Sequence, residues 1–237
     1  MEEINNKSKL ISDADWDLKW PDIFEHYQND LRHAQYIQAL KNKNENCLLE
    51  IAAGSFRDMA ALNKWGIECN GMDFSAESVM LAKKQFPSLS NKIHQMDGFN
   101  FNFVDKKFDL TYHNGFWVLF NDSDIDLLAK EQARISKYRM IATVHNAHNI
   151  QFKNYFKMKA ENDSLYRIRF FYEEEMRNIM SKVCSKVTVV PVGKGKKYFE
   201  DEIINNGGNA ELLRSFFEEQ GLNHINDSER LLCIGEI

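Results

Sequence analysis

The stretch Cys47–Asp73, CLLEIAAGSFRDMAALNKWGIECNGMD, decides the reading of the chain. It opens with an apolar run, Leu48-Leu49-Glu50-Ile51-Ala52, and turns through three small residues, Ala53-Gly54-Ser55. A helical pattern from Phe56 to Trp65 breaks at Gly66, and a second strand-like run ends at Asp73. Strand, tight turn, helix, strand is a βαβ unit with an acid at the tip of its second strand. In such a unit a ligand sits beyond the carboxyl ends of the strands. A turn of small residues lets the ligand approach the backbone. The acid can accept both hydroxyls of a ribose, and it follows Gly54 by 19 positions, near the spacing of about 20 typical of nucleoside sites.

Two other nucleotide patterns do not fit. A dinucleotide fingerprint, G-x-G-x-x-G, needs glycine where the chain has Ala52 and Arg57, and a phosphate loop needs G-K-[ST]. Glu50-Ile51-Ala52-Ala53-Gly54-Ser55-Phe56 instead resembles motif I of the class I S-adenosylmethionine (SAM) methyltransferases, acid-x-G-x-G-x-G. Ala52 replaces the first glycine and Phe56 the third, so either the base of the turn differs or Phe56 enters the helix–sheet core. The tail, Arg57-Asp58 through Gly71-Met72-Asp73-Phe74-Ser75, looks like many bacterial members. The resemblance covers residues 45–149 by motif and 173–237 by architecture.

It implies an α/β fold, a seven-stranded mostly parallel sheet with helices on both faces and an antiparallel last strand. Residues 1–44 would form an N-terminal arm and helix, a candidate lid. The methyltransferase domain would span 45–237, with 150–172 as an inserted acceptor cap. The implied cofactor is SAM. Glu50, Ala52 and Gly54 would form its turn, Asp73 would meet the ribose, and Phe74 would contact the cofactor beside it. Asp97 would accept the adenine amino group, with Gly98 and Phe99 bordering the ring. Phe108-Asp109-Leu110 followed by His113-Asn114-Gly115-Phe116 looks like motif IV, where the methyl faces its acceptor, and places Asn114 there.

The remaining chain supplies the expected alternation. Ser75 can cap a helix that Pro87 stops, and a third strand covers 92–96. A fourth strand covers 108–112. Asn121, Asp122 or Ser123 can cap a helix over 126–135, and a fifth strand runs over 140–144. A helix over 173–182, a strand over 185–190, a loop-rich stretch from 193 to 209, a helix over 211–220 and a last strand over 231–237 complete it. Residues 1–12 are polar and expected to be mobile. Residues 13–40 read as helix, with Pro21 near its start and Trp16, Trp20, Phe24 and Tyr27 in a stripe. That stripe either packs on the sheet edge or covers the cofactor, with Tyr27 or Arg32 toward the methionine carboxylate.

Residues 150–171 interleave Phe152, Tyr155, Phe156, Tyr166, Phe170 and Phe171 with Lys153, Lys157, Lys159, Arg167 and Arg169. This suits either a cap favouring a glycan-like or anionic acceptor or a solvated amphipathic helix. Methyl transfer is an in-line displacement, and a hydroxyl acceptor also has to lose a proton. His113 is the first candidate base, with His145 and His148 next; all three equally suit pocket walls. Two histidines on one loop do not make a metal site, so none is expected. No N-P-P-Y follows the fourth strand, which favours oxygen over nitrogen as the acceptor atom.

SAM-dependent O-methylation of a small molecule or glycan is the resulting expectation. The alternative is a catalytically silent protein that binds SAM or a nucleoside; a nicotinamide enzyme is argued against by the missing glycines. A net charge of −5 on 237 residues argues against general nucleic-acid binding. Four widely spaced cysteines suit a reducing compartment. Neither a membrane-length apolar run nor a signal-like N-terminus is present, so a cytoplasmic location is expected.

Overall fold

The computed structural model describes residues 13–207 and 209–237, so the stretch expected to be mobile, 1–12, lies outside the described residues. Seven strands form one sheet: β1 (Cys47–Ile51), β2 (Glu68–Asp73), β3 (Ile93–Gln95), β4 (Phe108–Asn114), β5 (Ser136–His145), β6 (Lys186–Val192) and β7 (Arg230–Glu236). Their order is β3-β2-β1-β4-β5-β7-β6. The first five run parallel, and β7 is antiparallel to both of its neighbours. This is the expected sheet, antiparallel last strand included.

Helices α1 (Asp13–Tyr27), α2 (Arg32–Leu40), α3 (Arg57–Lys64), α4 (Ala76–Gln85), α5 (Asp122–Ile135), α6 (Ile150–Lys159), α7 (Glu173–Met180), α8 (Lys197–Asn205) and α9 (Ala210–Gln220) surround it. The parallel strands are apolar on both faces because both are covered. On one face Leu48, Leu110, Tyr112 and Ile141 pack with residues of α2, α3 and α9. On the other, Met140, Ala142, Val144 and Cys233 pack with residues of α5 and α7. The cysteines are free thiols. No helix among the described residues is long and apolar enough to cross a membrane.

Local chemistry explains several boundaries. Ser75 caps α4 by accepting from Ser78 N at 3.0 Å, and Asn121 caps α5 by accepting from Asp124 N at 2.9 Å. The helical stretch 13–40 is two helices, separated at 28–31, and Pro21 lies inside α1 rather than near its start, where it removes one backbone donor. β5 starts earlier than its apolar run suggests: Ser136 bonds both Gln132 O (2.6 Å) and Thr111 Oγ1 (2.7 Å), so α5 runs directly into the strand. The stretch expected to be loop-rich, 193–209, contains α8. Its buried Glu200 accepts from Tyr36 Oη at 2.6 Å and Gly193 N at 3.2 Å, tertiary bonds that local composition does not announce.

Candidate functional site

The parallel strands all direct their carboxyl ends to one rim, where α/β sheets bind ligands. At the end of β1 the chain turns through Ala52 (φ 51°), Gly54 (φ 55°) and Phe56 (φ 54°). For a non-glycine residue the left-handed region costs about 1–2 kcal/mol, and Phe56 is held there by its packing. Phe56 is fully buried and fills the room beside Gly71: a Cβ there would lie 2.6 Å from Phe56 Cδ1. Phe56 therefore enters the core, and β2 yields a side chain to receive it.

Hydrogen bonds fix the turn. Ala53 N donates to Met72 O (2.9 Å), Gly54 N to Asp73 Oδ2 (2.8 Å) and Ser75 N to Asp73 Oδ1 (2.9 Å). Phe74 N donates to the same carboxylate, which has about four lone-pair sites and so keeps accepting capacity beyond its backbone donors. Burial pushes the Asp73 carboxyl up to about 6, against the pull of these donors. Glu50, buried at the end of β1, accepts from Met59 N at 2.8 Å and ties strand to helix; burial, then the neighbouring Asp58, raises its pKa well above the usual range. Beneath the turn, His33 bridges Asp58 (2.7 Å) and Thr143 (2.9 Å), joining α2, α3 and β5.

Farther along the rim, Asp97 is exposed and accepts from Phe99 N at 3.0 Å. Gly98 is buried under the Phe116 ring, and Phe99 packs edge-on against Phe120 at 5.4 Å. Phe74 is 45% exposed at the tip of β2. Asp73 and the Gly54 turn are thus in direct contact, with Phe74 next to them and the 97–99 turn at the end of the adjacent strand β3.

The α1 aromatic stripe lies over the turn. Trp20 Cη2 is 2.5 Å from the position of a Cβ on Gly54, so the indole rests on the bare backbone. Asp17 bonds Ser75 Oγ, and Gln28 Nε2 donates to Ser55 O at 3.0 Å. The Arg57 guanidinium stacks on Tyr27, 5.4 Å from the ring centre. Arg32 pairs instead with Asp201 on α8. The turn and the Asp73 lone pairs fit a ribose-bearing ligand, and Trp20 covers the surface such a ligand would use.

The three rim histidines do not converge. His113 is fully buried; its Nδ1 accepts weakly from Phe116 N at 3.4 Å, and its Nε2 has no partner among the described residues. Burial, helped by His33, lowers its pKa to about 3. His148 Nε2 accepts the first backbone N–H of α7, from Glu173, at 3.1 Å. His145 Nδ1 accepts from Arg230 Nη1 at 2.8 Å, which leaves the ring proton on Nε2. Burial and the Arg230 charge keep His145 well below its ordinary pKa. Its ring stacks on Phe152 and meets Phe156 and Phe170 edge-on, with centroids 5.0–5.8 Å away.

Sequence reasoning passes over Arg230. It is one polar residue ahead of an apolar strand, and only the antiparallel pairing His145↔Arg230 carries it to the rim. Its Nη1 lies 3.6 Å from the position of a Cβ on Gly115, in the turn after β4. Among the described residues no group of three or more His, Cys, Asp and Glu side chains suits a metal ion.

Residues 48–139 match a family model described as a methyltransferase domain. No curated protein matches the sequence significantly. Among solved structures, a SAM-dependent methyltransferase of Thermotoga maritima, described as a possible histamine N-methyltransferase, superposes with a TM-score of 0.63 at 15% identity, covering 93% of this chain and 98% of that one. A SAM-dependent methyltransferase of Archaeoglobus fulgidus gives 0.61 at 15% identity, covering 94% and 98%. The geranyl diphosphate C-methyltransferase of Streptomyces coelicolor, solved with Mg2+, geranyl-S-thiolodiphosphate and S-adenosylhomocysteine, gives 0.55 at 12% identity, covering 86% and 74%. Residues 48–139 therefore resemble a methyltransferase domain, and the chain has the fold of the class I, S-adenosylmethionine-dependent methyltransferases.

Proposed function

We propose that the protein transfers the methyl group of SAM to an oxygen of a small-molecule acceptor. The observation that carries this reading is Asp73, set at the tip of β2 with its two oxygens held by backbone N–H groups and part of their accepting capacity left over. In this reading Asp73 takes the ribose hydroxyls, and the turn from Ala52 to Gly54 faces the methionine part. Phe74, Asp97, Gly98 and Phe99 border the adenine, and Asn114 lies near the methyl. Glu50 positions the turn through α3. Within the expected arm over 1–44, whose first 12 residues lie outside the described residues, α1 lifts to admit the cofactor, and 150–172 cap the acceptor side of the domain over 45–237. A cytoplasmic location suits the four free thiols.

SAM supplies a methyl on a good leaving group: the C–S bond breaks as the O–CH3 bond forms, and S-adenosylhomocysteine departs. The chain's own residues hold the acceptor in line, where positioning alone lowers the barrier substantially. A general base works best with a pKa near the operating pH. His113, at about 3, and His145, whose Nδ1 is taken, act here as neutral walls, and His148 serves α7. The acceptor hydroxyl releases its proton to water or arrives ionised.

A second reading, a silent SAM- or nucleoside-binding protein, is favoured by Trp20 resting on Gly54. Calorimetric titration with S-adenosylhomocysteine, beside Asp73→Ala, tests the site. The variant is expected to lose about 100-fold in affinity, the equivalent of two hydrogen bonds to a charged group. No binding by the folded intact protein overturns both readings. Labelled methyl transfer to a panel of phenols, hydroxy acids and sugars then separates them: turnover excludes the silent protein, and binding without turnover selects it.

A further inference from the structure

Beside the turn after β4 stands a cation without an anion. Among the described residues, the Arg230 guanidinium makes one side-chain hydrogen bond, to the neutral Nδ1 of His145, and no ion pair. A guanidinium carries five N–H donors in a fixed fork that matches a carboxylate or phosphate. Most of the fork is therefore unused, in a place where water is partly excluded: burial lowers the Arg230 pKa to about 10. Glu229, Tyr27 and Asp30 favour its charge from a distance and Arg57 opposes it, but none of them bonds to it.

The surroundings are aromatic. His145 sits between Arg230 and a wall of Phe152, Phe156 and Phe170, all half-buried, and Tyr166 continues the wall 5.0 Å from Phe156. No residue of α6, which carries two of these rings, is buried. The rings of the wall therefore keep part of their apolar surface exposed. Its basic residues add a favourable field: Lys153 and Lys159 lie over Tyr172 and Tyr155 and have no carboxylate partner among the described residues.

We propose that Arg230, oriented by His145, binds the carboxylate or phosphate of the methyl acceptor, whose flat apolar part lies on Phe152, Phe156 and Phe170. The inference rests on the methyltransferase reading and names the acceptor class: a small aromatic or otherwise flat acid, with the anion as its anchor and the methyl-accepting oxygen as a separate group. The Nε2–H of His145 is left as a hydrogen-bond donor to that acceptor.

The test uses benzoate, phenyl phosphate and the uncharged benzamide, titrated by ligand-observed NMR onto the full chain with and without S-adenosylhomocysteine. At least one of the two anions is expected to bind about tenfold more tightly than benzamide, as a charge-assisted contact provides. Benzoate alone winning identifies a carboxylate site, and phenyl phosphate alone a phosphate site. Arg230→Gln is expected to erase the preference and Arg230→Lys to keep part of it, both binding S-adenosylhomocysteine within about twofold of the parent. Equal binding of all three probes by the intact protein overturns the proposal, whether or not the variants fold. So does an anion preference that survives in a folded Arg230→Gln. Failure of S-adenosylhomocysteine to bind, with the anion preference intact, overturns the cofactor reading and with it the acceptor role, and leaves only the anion site at Arg230.

Discussion

The turn at Gly54 and the segment around α6 are built in opposite ways. The turn is tied by the backbone N–H groups of Ala53, Gly54 and Phe56 and roofed by Trp20, and Phe56 occupies the room that Gly71 leaves. The α6 segment presents half-buried rings and solvated lysines, and its helix buries no residue. One region specifies a single geometry, and the other presents partly exposed surfaces that can re-pack. In the proposed reading, the first region holds a constant donor and the second meets a selected acceptor. Substitutions should therefore cost folding in the first region and selectivity in the second.

Gly71→Val should have the largest effect, because the new side chain meets a buried ring in a packed core. A loss of about 3 kcal/mol or more is expected in urea unfolding, and Phe56→Ala in the same chain should recover part of it. If Gly71→Val is tolerated without a partner change, the turn is looser than described. His33→Ala comes next, since it leaves the buried Asp58 without its bridge to β5. The expected loss is about 3 kcal/mol, read by the same unfolding curve.

Trp20→Ala should act with the opposite sign on binding. With the indole gone from Gly54, S-adenosylhomocysteine should bind roughly tenfold more tightly or faster, visible by stopped-flow mixing; weaker binding would make Trp20 part of the cofactor site rather than its cover. The pH response is smaller and double-edged. Asp73 in the folded chain has a pKa raised to about 6, above its unfolded value near 3.8. Its ionised form accepts ribose hydroxyls, so cofactor affinity should fall as pH drops through 6. Folding stability from this group should rise over the same window, since the folded state then binds more protons than the unfolded one. Smallest is Phe156→Ala, expected to cost about 1 kcal/mol or less in stability because the ring is only half-buried. Hydrogen exchange in α6 should be faster than in α3, and equal rates would erase the contrast.

The rigid half was also the more legible in sequence. Its small-residue turn, its terminal acid and the capping Ser75 are local features with local causes, and the sheet follows from strands placed at regular intervals. The antiparallel end of the sheet was legible through the family resemblance. What escaped depends on distant partners. Nothing near Gly71 announces that it receives Phe56. The helix at 197–205 forms around Glu200, whose partner Tyr36 is far away in the chain. The division of 13–40 into two helices, and Pro21 inside the first, follow from α1 folding back over the rim. The histidines were visible as residue types at strand ends, but their directions were not, and Arg230 gains its position only from strand pairing.

That pairing has an evolutionary consequence. β7 is locked to β5 from Arg139↔Glu236 to His145↔Arg230 and to β6 from Lys186↔Glu236 to Val192↔Arg230. A one-residue slip would turn every side chain of β7 to the opposite face, so the arginine is carried by the register of the whole sheet. The rings of α6 stand on a connection that can lengthen, shorten or change its residues without disturbing any rung. Descendants of this chain could therefore change the aromatic surface by drifting in α6 and its flanks, while the charge of Arg230 beside it is inherited unchanged.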